Sequence, residues 1–349
     1  MSYRMTLTDE RLYPPYKIAA VVRLLLDDGV STEEALHGTG LDDQALDDAS
    51  CLTSIEQYQQ VCSSAVSLSQ DPSISFRVGE RLHLSDYGMY GLLLMSCESV
   101  RDYFKLAVKY QLLAAPTMAF DWAEGDGDVV WIWADETARE LPQDLGIFLV
   151  EQQFVQHVTH LRDVLGASCQ PTLACFAYPA PAHRDLYSQY LQCPCVFDCH
   201  RSGIQYPKET LARRPYLANP LAATMLQSTC DGLIAHIEAS LGFAGKVHRT
   251  LRHLSDPGAG MKAVATALKM TDRTLRRRLA DEGTSFSTIA YQVKYCVATQ
   301  HLKDSQASIE QIAAIAGFSD PANFRRAFIR WTSMTPAQFR RQQHRLATM

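Results

Sequence analysis

The side chains best suited to chemistry fall in three places along these 349 residues. The first is Cys193-Pro194-Cys195-x-x-x-Cys199-His200, three thiols and an imidazole within eight residues. Thiolates and imidazoles are tetrahedral zinc ligands, and Cys169 or Cys175 stands near enough in sequence to complete a set. Two of the thiols could instead form a redox pair. The spacing lacks the repeated C-x2-C pairs of common zinc sites. Small buried or strand-edge cysteines are the plainer reading. The second place is His157 and His160, at i, i+3 on one side of a helix. Two imidazoles without a carboxylate or a third histidine do not make a zinc site, so ordinary core or surface residues are expected. The third is a pair of groups in the last part of the chain: Arg273, Thr274, Arg276 and Arg277, then Pro321, Asn323, Arg325 and Arg326. A guanidinium matches guanine O6/N7 and a carboxamide matches adenine N6/N7 in a major groove, while phosphate contacts position without specifying. No Gly-rich phosphate loop, nucleophile elbow or paired zinc-hydrolase histidine motif is present. No catalytic residue, metal or cofactor is therefore assigned.

The elements that must carry the two basic groups are legible from local signals. Ser308 and Gln311 form a Ser-x-x-Gln capping box that starts a helix at Ile309. Ile312, Ala313 and Ala316 give it one apolar face. Gly317 ends it, because glycine takes positive φ without strain. Asp320-Pro321 opens the next helix, with Asp as N-cap and Pro at the first helical position. Phe324, Phe328 and Trp331 stripe its back, leaving Asn323, Arg325, Arg326 and Arg330 largely outside the stripe. Upstream, an Ala-rich helix at 261–268, a turn at Lys269-Met270, and a helix from Asp272 to Asp281 N-capped by Thr271 repeat the pattern. There Leu275 and Leu279 face inward, Arg273, Arg276 and Arg277 face outward, and Arg278 borders that face. A helix over 286–302 joins the two units. At 1.5 Å per residue it spans about 25 Å, which suits two recognition helices about 34 Å apart, one DNA turn, on one side of a duplex.

These residues also carry a family resemblance. Ile312-Ala313, Gly317-Phe318-Ser319-Asp320, Phe324, Arg326, Phe328, Trp331 and Thr335-Pro336-x-x-Phe339-Arg340 resemble the C-terminal signature of AraC/XylS-type bacterial transcription regulators. Met270-Thr271-x-Arg273-Thr274-Leu275-x-Arg277-x-Leu279, followed by Glu282-Gly283-x-Ser285-Phe286, extends the resemblance upstream. Two departures are Lys294, where the family usually places Arg on the connecting helix, and Cys296; neither falls on the DNA-facing side. The resemblance implies a DNA-binding domain with helix-turn-helix units at about 261–282 and 309–331.

Charge distribution agrees with that division. The chain has a formal charge of −5, yet residues 240–349 hold 17 Lys and Arg against 7 Asp and Glu, and residues 1–239 hold 16 against 31. A net of +10 beside a net of −15 suggests that only the C-terminal part meets a polyanion. A 47% hydrophobic content over this length supports two or more domains. Residues 1–10 lack the apolar core of a secretory signal, and the run from Gly91 to Met95 is far short of a membrane span. Ten cysteines in that setting are expected as free thiols in a cytoplasmic protein.

The N-terminal part mixes helices with a small antiparallel sheet. Helices are expected at 16–28, 31–36, 55–68, 72–82, 87–97, 100–113 and 142–165, and a short one at 183–191. A hairpin is expected from 117–122 and 129–134, and short strands at 172–178, 195–197 and 204–206. This order resembles the N-terminal effector domain of one AraC/XylS branch, the arabinose-binding-like, ornithine-utilisation-regulator-like one. Tyr90, Phe104, Tyr110, Phe120, Trp122 and Trp131 are candidates to line a pocket there, although aromatics at such spacing are more often core. The fold expected is an α+β domain over 1–207, a linker and bridging helix over 208–230, and an all-α domain over 231–349. The helix at 221–241 either bridges the domains or pairs two subunits.

The function this implies is a sequence-specific DNA-binding transcription regulator, an activator, not an enzyme. Its partners would be promoter DNA, a small effector of unknown identity, RNA polymerase and a second copy of itself, with no membrane. The alternative is a metal- or thiol-dependent enzyme or sensor built on Cys193, Cys195, Cys199 and His200, with a DNA-binding domain appended.

Overall fold

Reciprocal caps fix where several helices start. Ser31 and Glu34 exchange side-chain and backbone hydrogen bonds at 3.3 and 3.1 Å, and Ser54 and Gln57 do so at 3.1 and 2.9 Å. Each exchange satisfies amides that a helix start leaves open. The computed structural model describes residues 10–133, 141–240, 242–254, 259–304, 307–318, 320–332 and 334–346. The chain divides into two compact units, with the division between Ile234 and Ala235.

The first unit is α+β. Its helices are α1 (Tyr16–Asp27), α2 (Thr32–Ala35), α3 (Ile55–Leu68), α4 (Ile74–Arg81), α5 (Gly88–Met95), α6 (Val100–Lys109), α7 (Gln143–Leu165) and α8 (Asp185–Leu191). Its strands are β1 (Phe120–Glu124), β2 (Asp128–Trp133), β3 (Leu173–Cys175), β4 (Cys195–Val196) and β5 (Gly203–Pro207), in the order β1-β2-β5-β3-β4. The expected hairpin is present, with Trp122 opposite Trp131. The sheet is mixed, however, not wholly antiparallel: β3 and β4 run parallel, with Ala174 opposite Cys195. The segment carrying α8 lies between them and returns the chain in its original direction, as a crossover does and a tight turn cannot.

Helix α7 is the axis of this unit. Leu145, Phe148, Leu149, Phe154, Val155 and Val158 are buried, and so are Glu151, Gln152, Gln153, His157 and His160. Helix α4 crosses it at Gly79, where a Cβ would lie 2.6 Å from the Gln152 carbonyl oxygen and 2.7 Å from the Val155 Cβ. The absent side chain thus sets the approach of the two backbones. From the sheet, Trp133 stacks on Phe154 at 4.1 Å, and Phe154 meets Phe176 at 4.5 Å. The buried Glu151 carboxylate accepts from Ser75 Oγ at 2.5 Å and from the Tyr187 hydroxyl, and meets His183 Nε2 at 2.6 Å. Three partners make burial of that carboxylate tolerable.

Helix α9 (Pro220–Ser240) spans the division, and the second unit continues all-α. Its helices are α10 (Gly242–His253), α11 (Met261–Ala267), α12 (Asp272–Asp281), α13 (Phe286–Asp304), α14 (Ile309–Ile315), α15 (Pro321–Thr332) and α16 (Pro336–Leu346). Two cores form. The first gathers Val247, Leu251, Val264, Leu275 and Leu279; the second gathers Ile312, Ala316, Phe324, Phe328 and Phe339. Helix α13 enters both, giving Ile289 and Val293 to the first and Ala298 and Leu302 to the second. No helix among the described residues is long and apolar enough to cross a membrane.

Candidate nucleic-acid interface

Helices α11 and α12 form the first helix-turn-helix. The turn uses Lys269 at φ 54°, an unusual conformation for a non-glycine residue, and Thr271 then accepts from the Thr274 amide at 3.2 Å as N-cap. With Leu275 and Leu279 turned into the core, Arg273, Arg276 and Arg277 are exposed and Thr274 is half-buried. Arg276 makes a 3.8 Å contact with the Met261 sulfur. Arg278 leans the other way, over the Phe243 ring at 5.3 Å. Glu282, just beyond α12, accepts from the Phe243 and Ala244 amides at 2.6 and 2.7 Å. It thereby caps α10 from outside and ties the end of the arginine-bearing helix to its support.

Helices α14 and α15 form the second unit. Ser308 and Gln311 complete the expected capping box at 3.1 and 2.8 Å. Gly317 sits at φ 74° in the turn, and Asp320 accepts from the Ala322 amide at 3.0 Å. Phe324 and Phe328 are fully buried, Asn323, Arg325 and Arg326 are exposed, and Pro321 is half-buried. Arg326 donates to Asn323 Oδ1 at 2.8 Å, and Arg325 lies 3.6 Å from Glu310 with both side chains open to solvent. Among the described residues no carboxylate pairs with Arg273, Arg276, Arg277 or Arg326.

Two braces were not foreseen from the sequence. Lys294 of α13 donates to the Gly317 carbonyl at 2.6 Å and lies 4.6 Å over the Phe318 ring. It caps the turn of the second unit from the connecting helix. Arg340 of α16 donates to the Ala307 carbonyl at 2.6 Å, just ahead of α14. From the sequence Lys294 stands out only as a departure from the usual Arg. It is one of two lysines on that helix, and its partner is 23 residues away.

Among the described residues the cysteine cluster does not assemble a metal site. Cys193 is buried, Cys195 and Cys199 are half-buried, and His200 is exposed. The Cys195 and Cys199 thiols donate to the carbonyls of Cys193 and Val196 at 3.5 and 3.6 Å. Among the described residues no three His, Cys, Asp or Glu side chains gather so as to hold a metal ion.

Comparison with known proteins now bears on this geometry. Residues 29–215 match the family model described as the arabinose-binding domain of AraC transcription regulators, N-terminal, and residues 264–342 match a helix-turn-helix domain. The chain is 27% identical over 332 residues to the ornithine utilization regulator of Pseudomonas aeruginosa, covering 94% of this chain and 96% of that protein. Over 79 residues, 23% of this chain and 27% of the other, it is 43% identical to the urease operon transcriptional activator of Escherichia coli. A crystal structure of the transcriptional regulator CdpR from Pseudomonas aeruginosa aligns with a TM-score of 0.48 at 23% identity, over 92% of this chain and 96% of that one. These relatives are regulators, and the enzyme or metal-sensor alternative finds no support among them. The chain belongs to the AraC family of DNA-binding transcription regulators, with an arabinose-binding-type domain ahead of two helix-turn-helix units.

Proposed function

We propose that this regulator reads promoter DNA with α12 and α15. Arg273, Thr274, Arg276 and Arg277 take one major groove, and Pro321, Asn323, Arg325 and Arg326 take the next. One observation supports this above others: two capped helices present exposed guanidiniums, nearly all without a carboxylate partner among the described residues, in a segment with a net charge of +10. Helix α13, 19 residues long and so about 28 Å, is a spacer of the right order for grooves one turn apart, about 34 Å. Footprinting tests the assignment. Arg276→Ala and Arg326→Ala are each expected to weaken protection of the operator. Protection by both variants at the wild-type concentration would exclude the groove assignment.

In this reading the N-terminal unit senses a small effector, and the protein works in the cytoplasm as an activator that contacts RNA polymerase. Similarity to an activator of a urease operon supports the direction of control. Helix α9 either carries the signal between units or pairs two copies. The effector must bind one of these arrangements better than the other, since equal affinity shifts no equilibrium. Promoter affinity measured with and without candidate effectors, at several protein concentrations, tests both points.

A further inference from the structure

Between the inner face of the β1–β2 hairpin and helices α6 and α7 lies a cavity with about 40 Å³ of free space. Tyr90, Phe120, Trp131, Gln156, His157 and His160 are among its walls, and among the described residues no acidic, lysine or arginine side chain lines it. Three of these aromatics, Tyr90, Phe120 and Trp131, belong to the six that sequence pattern marks for a pocket. Phe104, Tyr110 and Trp122 do not line it.

The two imidazoles are the informative groups. His157 and His160 are 5% and 7% exposed, yet Nε2 of each lacks a hydrogen-bond partner among the described residues. Buried polar atoms are rarely left so. The Leu82 backbone carbonyl favours a proton on the His160 ring. A carbonyl only accepts, so the nitrogen that serves it is a donor, and the unpartnered Nε2 is then the ring's lone pair. Burial pushes both imidazoles down, His160 to about 3 with the nearby Lys17 charge adding to the effect. Burial thus favours the neutral form of both rings.

The walls favour a flat molecule. Trp131 stacks on His157 at 4.6 Å and 25°, and on Phe120 at 4.9 Å and 29°. Phe120 sits on β1, at the edge of the sheet, and is half-buried. The free space suits one or two waters, so a ring enters only if a side chain yields, and Phe120 is the aromatic wall with solvent to swing into. A charged ligand would lose its hydration there.

We propose that this cavity is the effector site, and that it takes a small uncharged aromatic or heteroaromatic molecule bearing a hydroxyl or ring N–H. The donor satisfies His160 Nε2, and the ring stacks on Trp131 where Phe120 gives way. The assignment rests on the effector-sensing reading above.

Phenol, toluene and benzoate titrated into the full-length protein test it, with tryptophan fluorescence and thermal melting as readouts and promoter binding measured in the same solutions. Phenol is expected to bind at least tenfold more tightly than toluene, which keeps the shape without the donor, and than benzoate, which adds a charge. His160→Phe, which keeps a ring in the wall, removes that advantage. Phe120→Ala, at a partly exposed edge position, strengthens phenol binding. Equal affinity for phenol and toluene, or phenol binding unaffected by His160→Phe, overturns the proposed chemistry. Silence of all three probes in both wild type and Phe120→Ala overturns the cavity as a ligand site and leaves effector sensing elsewhere untouched. Binding of phenol that depends on His160 but does not alter promoter affinity supports the site's chemistry and counts against sensing through it.

Discussion

In the first helix-turn-helix unit, Arg273, Arg276 and Arg277 are exposed, no carboxylate among the described residues pairs with them, and Arg276 contacts the Met261 sulfur at 3.8 Å. In the second, Arg326 is tethered to Asn323 at 2.8 Å and Arg325 faces Glu310 at 3.6 Å. The fold is the same and the chemistry is similar, but the freedom differs. A loose guanidinium can find whichever phosphate oxygen is near, at the cost of freezing a long side chain on contact. A guanidinium already bonded to an amide is part-way ordered, and it fixes the amide as well. The contrast suggests that the first unit contributes charge-driven grip and the second contributes base discrimination.

The strongest way to break that contrast is to strip the first unit. Replacing Arg273, Arg276 and Arg277 together by Ala should lower the slope of log affinity against log salt by about 2.7, if each neutralises one phosphate. The accompanying loss at low salt should be on the order of a hundredfold or more. A titration series across salt concentrations measures both, and an unchanged slope would mean the first unit is no electrostatic anchor. Next in size is Asn323→Ala. It should remove about 1–3 kcal/mol of discrimination at one base pair while leaving the salt slope as it was. Binding to a set of operators substituted at each position reads this directly. A uniform loss across all operators would move Asn323 into the positioning class.

Lys294→Met sharpens the comparison from the structural side. It deletes the charged hydrogen bond to Gly317 while preserving the stem over Phe318. Allowing for its partial exposure, it should cost about 1 kcal/mol in a urea melt. Its effect on DNA should appear only at the half-site read by the second unit. The smallest effect lies in the other unit and separates loss of fold from loss of grip. The hydrogen bond to Glu151 holds His183 above the ordinary histidine value. A raised folded-state value means that the bond stabilises fully below the unfolded value of about 6.5. That stability fades as pH rises through the higher folded value. Denaturant midpoints of the N-terminal unit should therefore fall modestly from pH 6 upward, and His183→Gln should flatten the trend without altering DNA binding at fixed pH.

What could be read in advance was local. The caps at Thr271, Ser308 and Asp320 depend on residues two or three apart, and each appears where its spacing placed it. The inward stripes of α12 and α15 follow from a period that neighbours alone determine. Pairing across the chain was less legible. Nothing within 195–197 reveals that β4 lies parallel to β3, because that depends on where α8 delivers the chain. Lys294 stands where the family usually has Arg, but its reach to Gly317 depends on how α13 packs against the turn that follows α14. His157 and His160 looked ordinary for a related reason. Their significance is burial without a partner, and burial is a property of α4, α6 and the sheet closing around α7, none of which those two residues encode.

Helix α13 supplies side chains to both C-terminal cores at once. Neither half can therefore melt while the other keeps its full packing, and heat should dissolve the two readers in one transition. A fragment cut in the middle of that helix would leave each half with a torn apolar seam. Miniature single-unit versions of this domain should aggregate unless the whole helix is retained, and natural variation in the distance between bound half-sites should be narrow for the same reason.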